Sequence, residues 1–339
     1  MKVLFSGGGT LGSVSPLLAI QEVVQDEYNF IWIGTRFGPE KNIIEEGDIR
    51  FYQIFSGKIR RYFSFKNFLD PFKVIIGLIQ SLYILSKEKP DVCVTAGSFV
   101  SIPVHLAAWI LGVPTWVHQQ DVKPGLSNKI MARFADKVTV SLEDSVKNFS
   151  SSTECIGNPV REEIYQGREE RAKDIFNIES EKPVIFALGG GTGAEEINDL
   201  ILGSLNSLDD FEIIHIVGPK RDSKKAFQKE QQYKNYHVFK FLGDEIKHAY
   251  KITDIVVCRA GFSTLTELSA LEIPAILVPK EGHQEKNAEV FCQSDNFLDL
   301  KEKDFKKSIE KLLSGDKFEN KKTLKITKRD KIKEILNEL

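Results

Sequence analysis

Short apolar runs alternate with longer amphipathic stretches along almost the whole chain. Residues 184–188 and 255–257 are continuously apolar, which is typical of parallel strands covered on both faces. Residues 16–25, 72–87 and 265–270 have helical patterns. The alternation predicts an α/β fold in which crossover helices join parallel strands. The predicted strands are residues 2–5, 30–33, 92–95, 115–118, 184–188, 213–217, 238–239, 255–257 and 275–278.

A strand, a glycine-rich loop and a helix follow one another twice, at residues 5–12 and 188–194. Each occurrence opens its own series of strands and helices, so we expect two doubly wound domains. We place the N-terminal domain at residues 1–160 and the C-terminal domain at residues 161–319. The tail at 320–339 has apolar Leu324, Ile332, Ile335 and Leu336 and is expected to form a final helix. That helix can pack on either domain, the N-terminal one included.

Composition narrows the class of protein without fixing its chemistry. The chain has 339 residues, 42% hydrophobic and 28% charged, so it can bury a sizeable core. Its 46 basic and 48 acidic residues give a net charge of −2, which does not favour nucleic acid as a partner. The four cysteines form no Cys-x-x-Cys pair, which favours a reducing cytoplasm over a disulfide framework. Neither a signal peptide nor a membrane span is predicted.

Both glycine loops have the pattern of phosphate sites. Glycines let the backbone approach a ligand closely, and the following helix adds positive potential at its N-terminus. Neither loop is a Walker motif, because no Gly-Lys-Ser/Thr follows. The first loop is also a weak dinucleotide fingerprint, since the second strand leads to Arg36 rather than to an acidic residue. The alternative is that the glycines only permit tight strand–helix packing.

Two further segments in the C-terminal half predict contacts to a nucleotide sugar. Residues 258–268 follow a strand, and we expect Glu267 in the first turn of the next helix, where its carboxylate can accept bonds from ribose hydroxyls. Its alternative role is a capping box with Ser263 or Thr264. Residues 283–288 place polar amides at another helix start, which suits sugar hydroxyls or simply a solvated helix end.

Taken together and in order, these motifs resemble glycosyltransferase family 28, whose enzymes have the GT-B fold. The matching segments are GGTLGSVSP at 8–16, AGSFVSIP at 96–103, HQQDVKPGLSNK at 118–129, GNPVR at 157–161, GGGTGAEEIN at 189–198, CRAGFSTLTE at 258–267 and HQEKNA at 283–288. The resemblance implies two Rossmann-like domains facing across a cleft. It also implies inverting transfer of N-acetylglucosamine from UDP-N-acetylglucosamine to undecaprenyl-pyrophosphoryl-MurNAc-pentapeptide (lipid I), in peptidoglycan synthesis. It implies no cofactor, and the lack of an Asp-x-Asp motif favours no metal.

The resemblance assigns the donor-binding residues to the C-terminal motifs and to Arg161. It implies that Gly191, Thr192 and Gly193 meet the phosphates with Arg161, that Leu242 lies near uracil, and that Glu267 binds the ribose. The full donor set is Arg161, Gly191, Thr192, Gly193, Asn198, Leu242, Ser263, Thr264, Glu267, Gln284 and Asn287. The implied acceptor set is Thr10, Leu11, Gly12, Ser13, Gln119 and Asp121.

The chain departs from the family pattern on the acceptor side. Ser13 stands where the family usually has histidine, and residues 118–121 read His-Gln-Gln-Asp in place of His-Glu-Gln-Asn. A serine is a poor general base without help, so Asp121 is the first candidate base and His118 the second. The alternative for His118 is a structural role at the end of a buried strand. Ser13 stays in the catalytic set with Asp121 and His118.

Lipid I lies in the cytoplasmic face of the membrane, which implies a peripheral protein at an anionic surface. Residues 58–73 mix lysines and arginines with aromatic side chains, the composition of an interfacial segment, although an ordinary helix is the alternative. Three functions remain open from the sequence: the lipid I transferase, a same-fold enzyme (a transferase with another lipid acceptor or a UDP-N-acetylglucosamine 2-epimerase), and a nucleotide-sugar-binding subunit without turnover.

Overall fold

The chain divides into two compact units in the computed structural model. The structure describes residues 1–47, 49–57, 66–149, 152–219, 221–293, 296–300, 305–314 and 324–339. The N-terminal unit comprises Met1–Arg161 together with Leu324–Leu339, and the C-terminal unit comprises Glu162–Thr323.

The N-terminal unit is built on a seven-stranded parallel sheet in the order β3-β2-β1-β4-β5-β6-β7. Its strands are β1 (Lys2–Ser6), β2 (Asn29–Thr35), β3 (Arg50–Ile54), β4 (Val92–Thr95), β5 (Thr115–Gln119), β6 (Lys137–Val140) and β7 (Glu154–Cys155). Its first six helices are α1 (Ser15–Val24), α2 (Glu40–Glu46), α3 (Lys66–Glu88), α4 (Ser101–Ile110), α5 (Leu126–Met131) and α6 (Glu143–Val146). A 3-10 turn, Leu11–Ser13, precedes α1.

The C-terminal unit repeats the design with a six-stranded parallel sheet in the order β10-β9-β8-β11-β12-β13. Its strands are β8 (Val184–Leu188), β9 (Glu212–Ile216), β10 (Tyr236–Phe239), β11 (Ile255–Cys258), β12 (Ala275–Leu277) and β13 (Phe297–Asp299). Its helices are α7 (Glu169–Phe176), α8 (Glu195–Ser204), α9 (Lys224–Glu230), α10 (Ile246–Ile252), α11 (Phe262–Leu271), α12 (His283–Phe291) and α13 (Phe305–Leu313), with 3-10 turns at Glu162–Gln166 and Leu205–Ser207.

Alternating side chains of the central strands fill a core on each face of the sheet. In β1, Val3 and Phe5 join one buried cluster, and Leu4 joins the other. All three have no exposed surface, which explains why the run is continuously apolar. The strand order reverses direction between β1 and β4, and between β8 and β11. In open α/β sheets, ligands bind beyond the carboxyl ends of the strands at such switch points.

The end of the chain returns to the N-terminal unit as a fourteenth helix, α14 (Arg329–Glu338). Its residues Ile332, Ile335 and Leu336 are fully buried in the same cluster as Val3 and Phe5. Just before α14, the backbone N–H of Asn158 donates to the carbonyl of Lys325, and Thr327 N–H donates to the carbonyl of Asn158, both at 3.0 Å. The glycine of the Gly-Asn-Pro-Val-Arg segment has φ +87°, and a β-carbon there would overlap the Lys325 carbonyl.

All nine predicted strands are confirmed, with ends that differ by at most two residues. Four strands were not predicted. Strand β3 lies at the edge of its sheet with exposed Arg50 and Gln53 and only Ile54 buried, and β7 has only two residues. Strands β6 and β13 also lack a continuous apolar run, since β6 contains Lys137 and Thr139 and β13 ends in Asp299.

Candidate active site

The N-terminal glycine loop (residues 7–13) leaves β1 at the switch point of its sheet and is held by side chains from several elements. Trp32 Nε1 donates to the Gly7 carbonyl at 3.0 Å, and Ser98 Oγ donates to the Gly8 carbonyl at 2.7 Å. Gln120 Nε2 donates to the Gly12 carbonyl at 2.5 Å. The loop is therefore fixed by β2, by the turn after β4 and by the segment after β5.

The predicted acceptor residues of this loop differ in their exposure. Thr10 and Gly12 are exposed, and Leu11 is half-buried. Ser13 is only 8% exposed, and its Oγ accepts the Gly8 N–H at 3.3 Å. The Ser13 hydroxyl therefore stabilises the turn of the loop. None of these contacts would make it a general base.

Sequence reasoning missed a carboxylate under the N-terminal glycine loop. Glu40, the first residue of α2, is fully buried, and its side chain accepts the Gly9 N–H at 3.0 Å. Its other oxygen accepts the N–H and the hydroxyl of Thr35, at 2.7 and 2.5 Å. The glycines at 34 and 38, which flank Thr35, were the signal in the sequence that could have pointed to it.

His118 was a candidate base, and the structure contradicts that role. The ring is fully buried in β5, with Nε2 2.9 Å from Asn158 Oδ1 and Nδ1 2.9 Å from Thr139 Oγ1. With Asn158 Oδ1 as acceptor, the proton lies on Nε2. Burial lowers the pKa of His118 to about 4, so the ring stays neutral. His118 is a structural residue that joins β5 to β6 and to the Gly-Asn-Pro-Val-Arg segment.

The residues after His118 converge with the N-terminal glycine loop. Gln119 is buried; its Nε2 donates to the Asp121 carbonyl at 2.7 Å, and its Oε1 accepts from Asn128 Nδ2 at 2.6 Å. Within the described residues, Gln120 Oε1 and Asn128 Oδ1 are buried acceptors without a hydrogen-bond partner. Asp121 is half-buried at this edge and is the one carboxylate among the predicted acceptor residues.

Arg161 is the last residue of the N-terminal unit rather than the first residue of the C-terminal one. Its side chain is half-buried, directly after the segment that pairs with the returning tail. The backbone of Arg161 therefore follows the same strand edge as Asn158.

The C-terminal glycine loop (residues 189–194) leaves β8 and is shaped by close backbone contacts. Gly193 has φ +77°, and a β-carbon there would overlap the Val217 carbonyl and lie 2.8 Å from Gly218 Cα. Gly191 and Thr192 are exposed directly before α8. Backbone N–H groups before a helix of ten residues suit a phosphate, as predicted from the sequence.

Asn198 was predicted to bind the donor, and the structure contradicts a direct role for its side chain. The residue is 7% exposed on the inner face of α8. Its Nδ2 donates to the Val217 carbonyl at 3.1 Å, and its Oδ1 lies 3.1 Å from His215 Nε2. Asn198 therefore locks α8 and the C-terminal glycine loop to β9.

Glu267 lies in the interior of α11, which corrects its expected place in the first turn. The helix begins at Phe262, with Gly261 as its N-cap and no side-chain cap, so the capping-box alternative is wrong. Glu267 is 8% exposed, and Tyr250 Oη of α10 donates to its Oε2 at 2.9 Å. Tyr250 is a second residue that sequence reasoning missed.

The other predicted donor residues surround the same end of the sheet. Ser263 and Thr264 are half-buried in the first turn of α11, and Ser263 Oγ is a buried atom without a partner within the described residues. Leu242 is buried in the turn after β10.

At the start of α12, Gln284 Oε1 accepts the Lys280 N–H at 3.0 Å, and buried Asn287 donates from Nδ2 to the Ala260 carbonyl at 3.1 Å. These bonds attach the loop before α12 to the turn between β11 and α11. The described residues hold no cluster of three or more His, Cys, Asp or Glu arranged for a metal ion.

Two parallel sheets, each with a glycine loop at its switch point, define a GT-B-type enzyme fold. The N-terminal domain model of glycosyltransferase family 28 matches residues 3–140, and the C-terminal domain model of the same family matches residues 184–339. The chain belongs to glycosyltransferase family 28.

Curated relatives extend the match over most of the chain. A Clostridium kluyveri protein named UDP-N-acetylglucosamine–N-acetylmuramyl-(pentapeptide) pyrophosphoryl-undecaprenol N-acetylglucosamine transferase is 38% identical, covering 89% of this chain and 87% of its own. A Bacillus thuringiensis protein with the same name, numbered 3, is 35% identical, covering 100% of this chain and 99% of its own.

Solved structures share the fold at lower identity. Acinetobacter baumannii MurG superposes with a TM-score of 0.66 at 24% identity, covering 88% of this chain and 85% of its own. UDP-GlcNAc 2-epimerase from Methanocaldococcus jannaschii gives a TM-score of 0.69 at 16% identity, covering 100% and 99%. At these identities the likeness shows the fold alone.

Proposed function

We propose that the protein transfers N-acetylglucosamine from UDP-N-acetylglucosamine to lipid I, which yields lipid II for peptidoglycan synthesis. The observation that carries the proposal is the 35% identity to a lipid I transferase over the full chain, both glycine loops included. Family membership supports a glycosyltransferase over an epimerase, since the epimerase likeness is one of fold.

The donor belongs to the C-terminal unit in this proposal. The exposed backbone of Gly191 and Thr192 before α8 receives the pyrophosphate. The role of Arg161 stays a prediction from the family resemblance. Glu267, oriented by Tyr250, accepts the ribose hydroxyls. The buried hydroxyl of Ser263, which has no partner within the described residues, is consistent with a ligand on that side. Thr264, Leu242, Gln284 and Asn287 complete the surroundings of the nucleotide sugar.

The acceptor belongs to the N-terminal unit, with Asp121 as the general base. Buried acceptor atoms of Gln120 and Asn128 that lack partners within the described residues suit hydroxyl or amide donors of a sugar. Asp121 lies on the same segment and is half-buried, whereas His118 is enclosed and Ser13 holds the loop. A carboxylate can take the proton of the attacking hydroxyl directly.

The proposed chemistry is a single displacement that inverts the anomeric carbon. The acceptor hydroxyl forms the new carbon–oxygen bond, its proton goes to Asp121, and the bond to the UDP oxygen breaks with its electron pair. The leaving UDP gains negative charge, which N–H dipoles at the C-terminal glycine loop stabilise. The residues present can perform this step through their own charges and dipoles.

The test is a transfer assay with purified protein, UDP-N-acetylglucosamine and a lipid I analogue. The two quantities measured are the amount of UDP released and the mass of the lipid product. We expect both products in equal amounts. Conversion of the donor to its 2-epimer without acceptor would support the epimerase instead. UDP binding without turnover on any lipid acceptor would support a non-catalytic subunit.

A matched pair of variants tests the donor assignment. Glu267→Ala is expected to weaken UDP binding by at least about 100-fold, because a carboxylate that accepts two hydroxyl bonds is lost. Glu310→Ala, an exposed carboxylate on α13, is the control and should bind UDP as the wild type does. Equal affinity of both variants, measured by titration calorimetry, would contradict the ribose site.

We also propose that the N-terminal unit binds the cytoplasmic face of the membrane as a peripheral protein. The predicted segment was residues 58–73, of which 58–65 lie outside the described residues. On α3, an apolar stripe (Phe72, Ile75, Ile76, Ile79 and Tyr83) is exposed, with Ile79 at 61% and Tyr83 at 70%. At helical spacing these residues share one face, opposite the buried Ser81 and Leu85.

Helix α3 packs on α4, which ends in exposed Trp109 and Ile110 and is followed by exposed Leu111. Exposed apolar patches of this kind mark interaction surfaces, and aromatic residues favour the headgroup zone of a membrane. Within the described residues, every helix is too short or too polar to cross a bilayer.

Vesicle sedimentation tests this surface. Wild-type protein should sediment with phosphatidylcholine vesicles that contain phosphatidylglycerol, and Ile79→Ser with Tyr83→Ser should lose most of that binding. Tyr165→Ser, which alters a half-exposed tyrosine of the C-terminal unit, is the control and should bind normally. Sedimentation of the double variant at the wild-type level would contradict the proposal.

A further inference from the structure

The carboxylate of Glu40 is a buried charge with an unusual set of partners. The residue has no exposed surface, and within the described residues it forms no ion pair. Its oxygens instead accept three bonds: from Gly9 N–H, Thr35 N–H and the Thr35 hydroxyl, at 3.0, 2.7 and 2.5 Å. A buried charge is tolerated only with such compensation, so the carboxylate and its donors hold one another in place.

The glycines around Glu40 leave room for this one side chain. A β-carbon at Gly8 would overlap Glu40 Oε1, and one at Gly38 would overlap Glu40 Oε2. A β-carbon at Gly34 would lie 3.2 Å from Glu40 Cγ and 2.8 Å from the Phe51 ring. Glycines on two separate loops therefore leave space for the same carboxylate. Two such positions are not expected if the contact with Glu40 is accidental.

In strand–glycine loop–helix motifs, the backbone N–H groups of the loop are where a phosphate oxygen is accepted. Here the N–H groups of Gly9 and Thr35 form such an anion seat, and the protein's own carboxylate occupies it. The N-terminal glycine loop is therefore shaped before any ligand arrives, and the Gly9 N–H is already used.

We propose that Glu40 is a positioning residue for the acceptor: its carboxylate, seated on Gly9 and Thr35, fixes the N-terminal glycine loop in the form that receives the acceptor substrate. This inference rests on the proposed lipid I transferase. Glu40 touches neither substrate in this proposal and acts through the loop, which also carries the Gly12 carbonyl bound by Gln120.

Glu40→Gln is the sharpest test, because it keeps the size of the side chain. One amide oxygen can still accept from Thr35, but the amide NH₂ then faces the Gly9 N–H, so a donor meets a donor. We expect the KM for a lipid I analogue to rise about tenfold, the effect of one lost hydrogen bond to a charged group. The KM for UDP-N-acetylglucosamine should stay at the wild-type value. Glu46→Gln, the same change at an exposed site on α2, is the matched control.

Amide hydrogen exchange adds a measurement that does not depend on turnover. In Glu40→Gln, peptides spanning residues 7–13 should exchange faster, and peptides spanning residues 189–194 should not change. Thr35→Val, which removes only the hydroxyl donor to Glu40, should give a smaller change of the same kind and serves if the Glu40 variant folds poorly.

Two outcomes would overturn the role of Glu40. One is a Glu40→Gln variant whose acceptor KM and loop exchange equal those of Glu46→Gln. The other is a lower melting temperature and kcat with both KM values unchanged, which would make Glu40 structural only. Absence of transfer by the wild type would instead refute the proposed lipid I transferase. In that case hydrogen exchange alone would still test whether Glu40 holds the loop.

Discussion

The two glycine loops occupy the same place in two similar sheets, yet they are held in different ways. The N-terminal loop is fixed by side chains, among them Glu40, Ser98 and Gln120. The C-terminal loop packs closely against backbone, because Gly193 lies directly against Val217 and Gly218, and the Asn198 side chain ties the following helix to the Val217 carbonyl. In the N-terminal loop the Gly9 N–H is bonded to Glu40, whereas in the C-terminal loop Gly191 and Thr192 are exposed. In the proposed function, the first loop is shaped for the acceptor and the second receives the phosphates of the donor.

The largest expected effect comes from Gly193→Ala. Gly193 has φ +77°, and a β-carbon there would overlap the Val217 carbonyl, so the backbone must move to accommodate alanine. UDP affinity should fall by more than about 1,000-fold, roughly 4 kcal/mol. Gly203→Ala is the control, since nothing lies within 4 Å of a β-carbon there. UDP affinity near the wild-type value in Gly193→Ala, measured by calorimetry, would refute the backbone-held loop.

The pH dependence of stability tests whether the buried histidine of β5 is held neutral in the N-terminal unit. Burial lowers the pKa of His118 to about 4 and that of His215 to about 3, against 6.5 for a free histidine. Below pH 6.5 the unfolded chain binds a proton that the folded chain does not, so stability is lost as pH falls towards 4. His118 alone accounts for roughly 3 kcal/mol over that range, at about 1.4 kcal/mol per pH unit.

The measurement is urea unfolding followed by tryptophan fluorescence. The three tryptophans, Trp32, Trp109 and Trp116, all lie in the N-terminal unit, so the signal reports that unit alone. His118→Gln should flatten the pH dependence by about one proton, and the buried His105 of the same unit, whose pKa burial lowers to about 4, accounts for slope that remains. An unchanged slope in His118→Gln would mean that this ring is not held neutral.

A double-mutant cycle separates side-chain from backbone support in the N-terminal loop. Gly8→Ala places a β-carbon against the Glu40 carboxylate and should destabilise the unit by about 2 kcal/mol. In a Glu40→Ala background, the same change should cost less than about 1 kcal/mol, a coupling of 1–2 kcal/mol. Gly12→Ala is the control, because the nearest atom to its β-carbon is Thr10 Oγ1 at 3.9 Å. Additive effects in tryptophan-detected unfolding would remove the link between Gly8 and Glu40.

The smallest effect concerns Ser98, which has φ +79° and donates to the Gly8 carbonyl. Ser98→Ala loses that bond and keeps the left-handed backbone, so it should cost about 1 kcal/mol. Ser98→Gly loses the same bond but relieves roughly 1 kcal/mol or more of backbone strain, so its net effect should be close to zero. Equal unfolding free energies for the two variants would show that the backbone at this position is unstrained.

The sequence predicts most of this fold because the central strands are buried on both faces. Val184–Leu188 is apolar throughout, so its strand needs no tertiary information to be found. Strand β3 escapes prediction because an edge strand is half-solvated, and its residues Arg50 and Gln53 mask the pattern. Because edge strands are partly exposed to solvent in any sheet, they are harder to predict from sequence than central strands.

The site is less predictable because chemistry in a sequence does not reveal burial. A histidine such as His118 can act as a base and an asparagine such as Asn198 can bind a ligand. Here both side chains are buried, and they form hydrogen bonds within the protein. Glu40 shows the converse, since it lies 31 positions from Gly9 and only the parallel pairing of β1 with β2 brings the two together. Contacts of this kind belong to the topology and leave no local trace except the glycines that accommodate them.

The return of α14 to the N-terminal unit also has a consequence for synthesis on the ribosome. When residue 161 emerges, the first unit still lacks Ile332, Ile335 and Leu336, and the face of α1 that they cover is open. That apolar face stays uncovered while the entire second unit is translated, a span of 162 residues from Glu162 to Thr323. The unit that is made first is therefore completed only after the second one, when α14 has emerged.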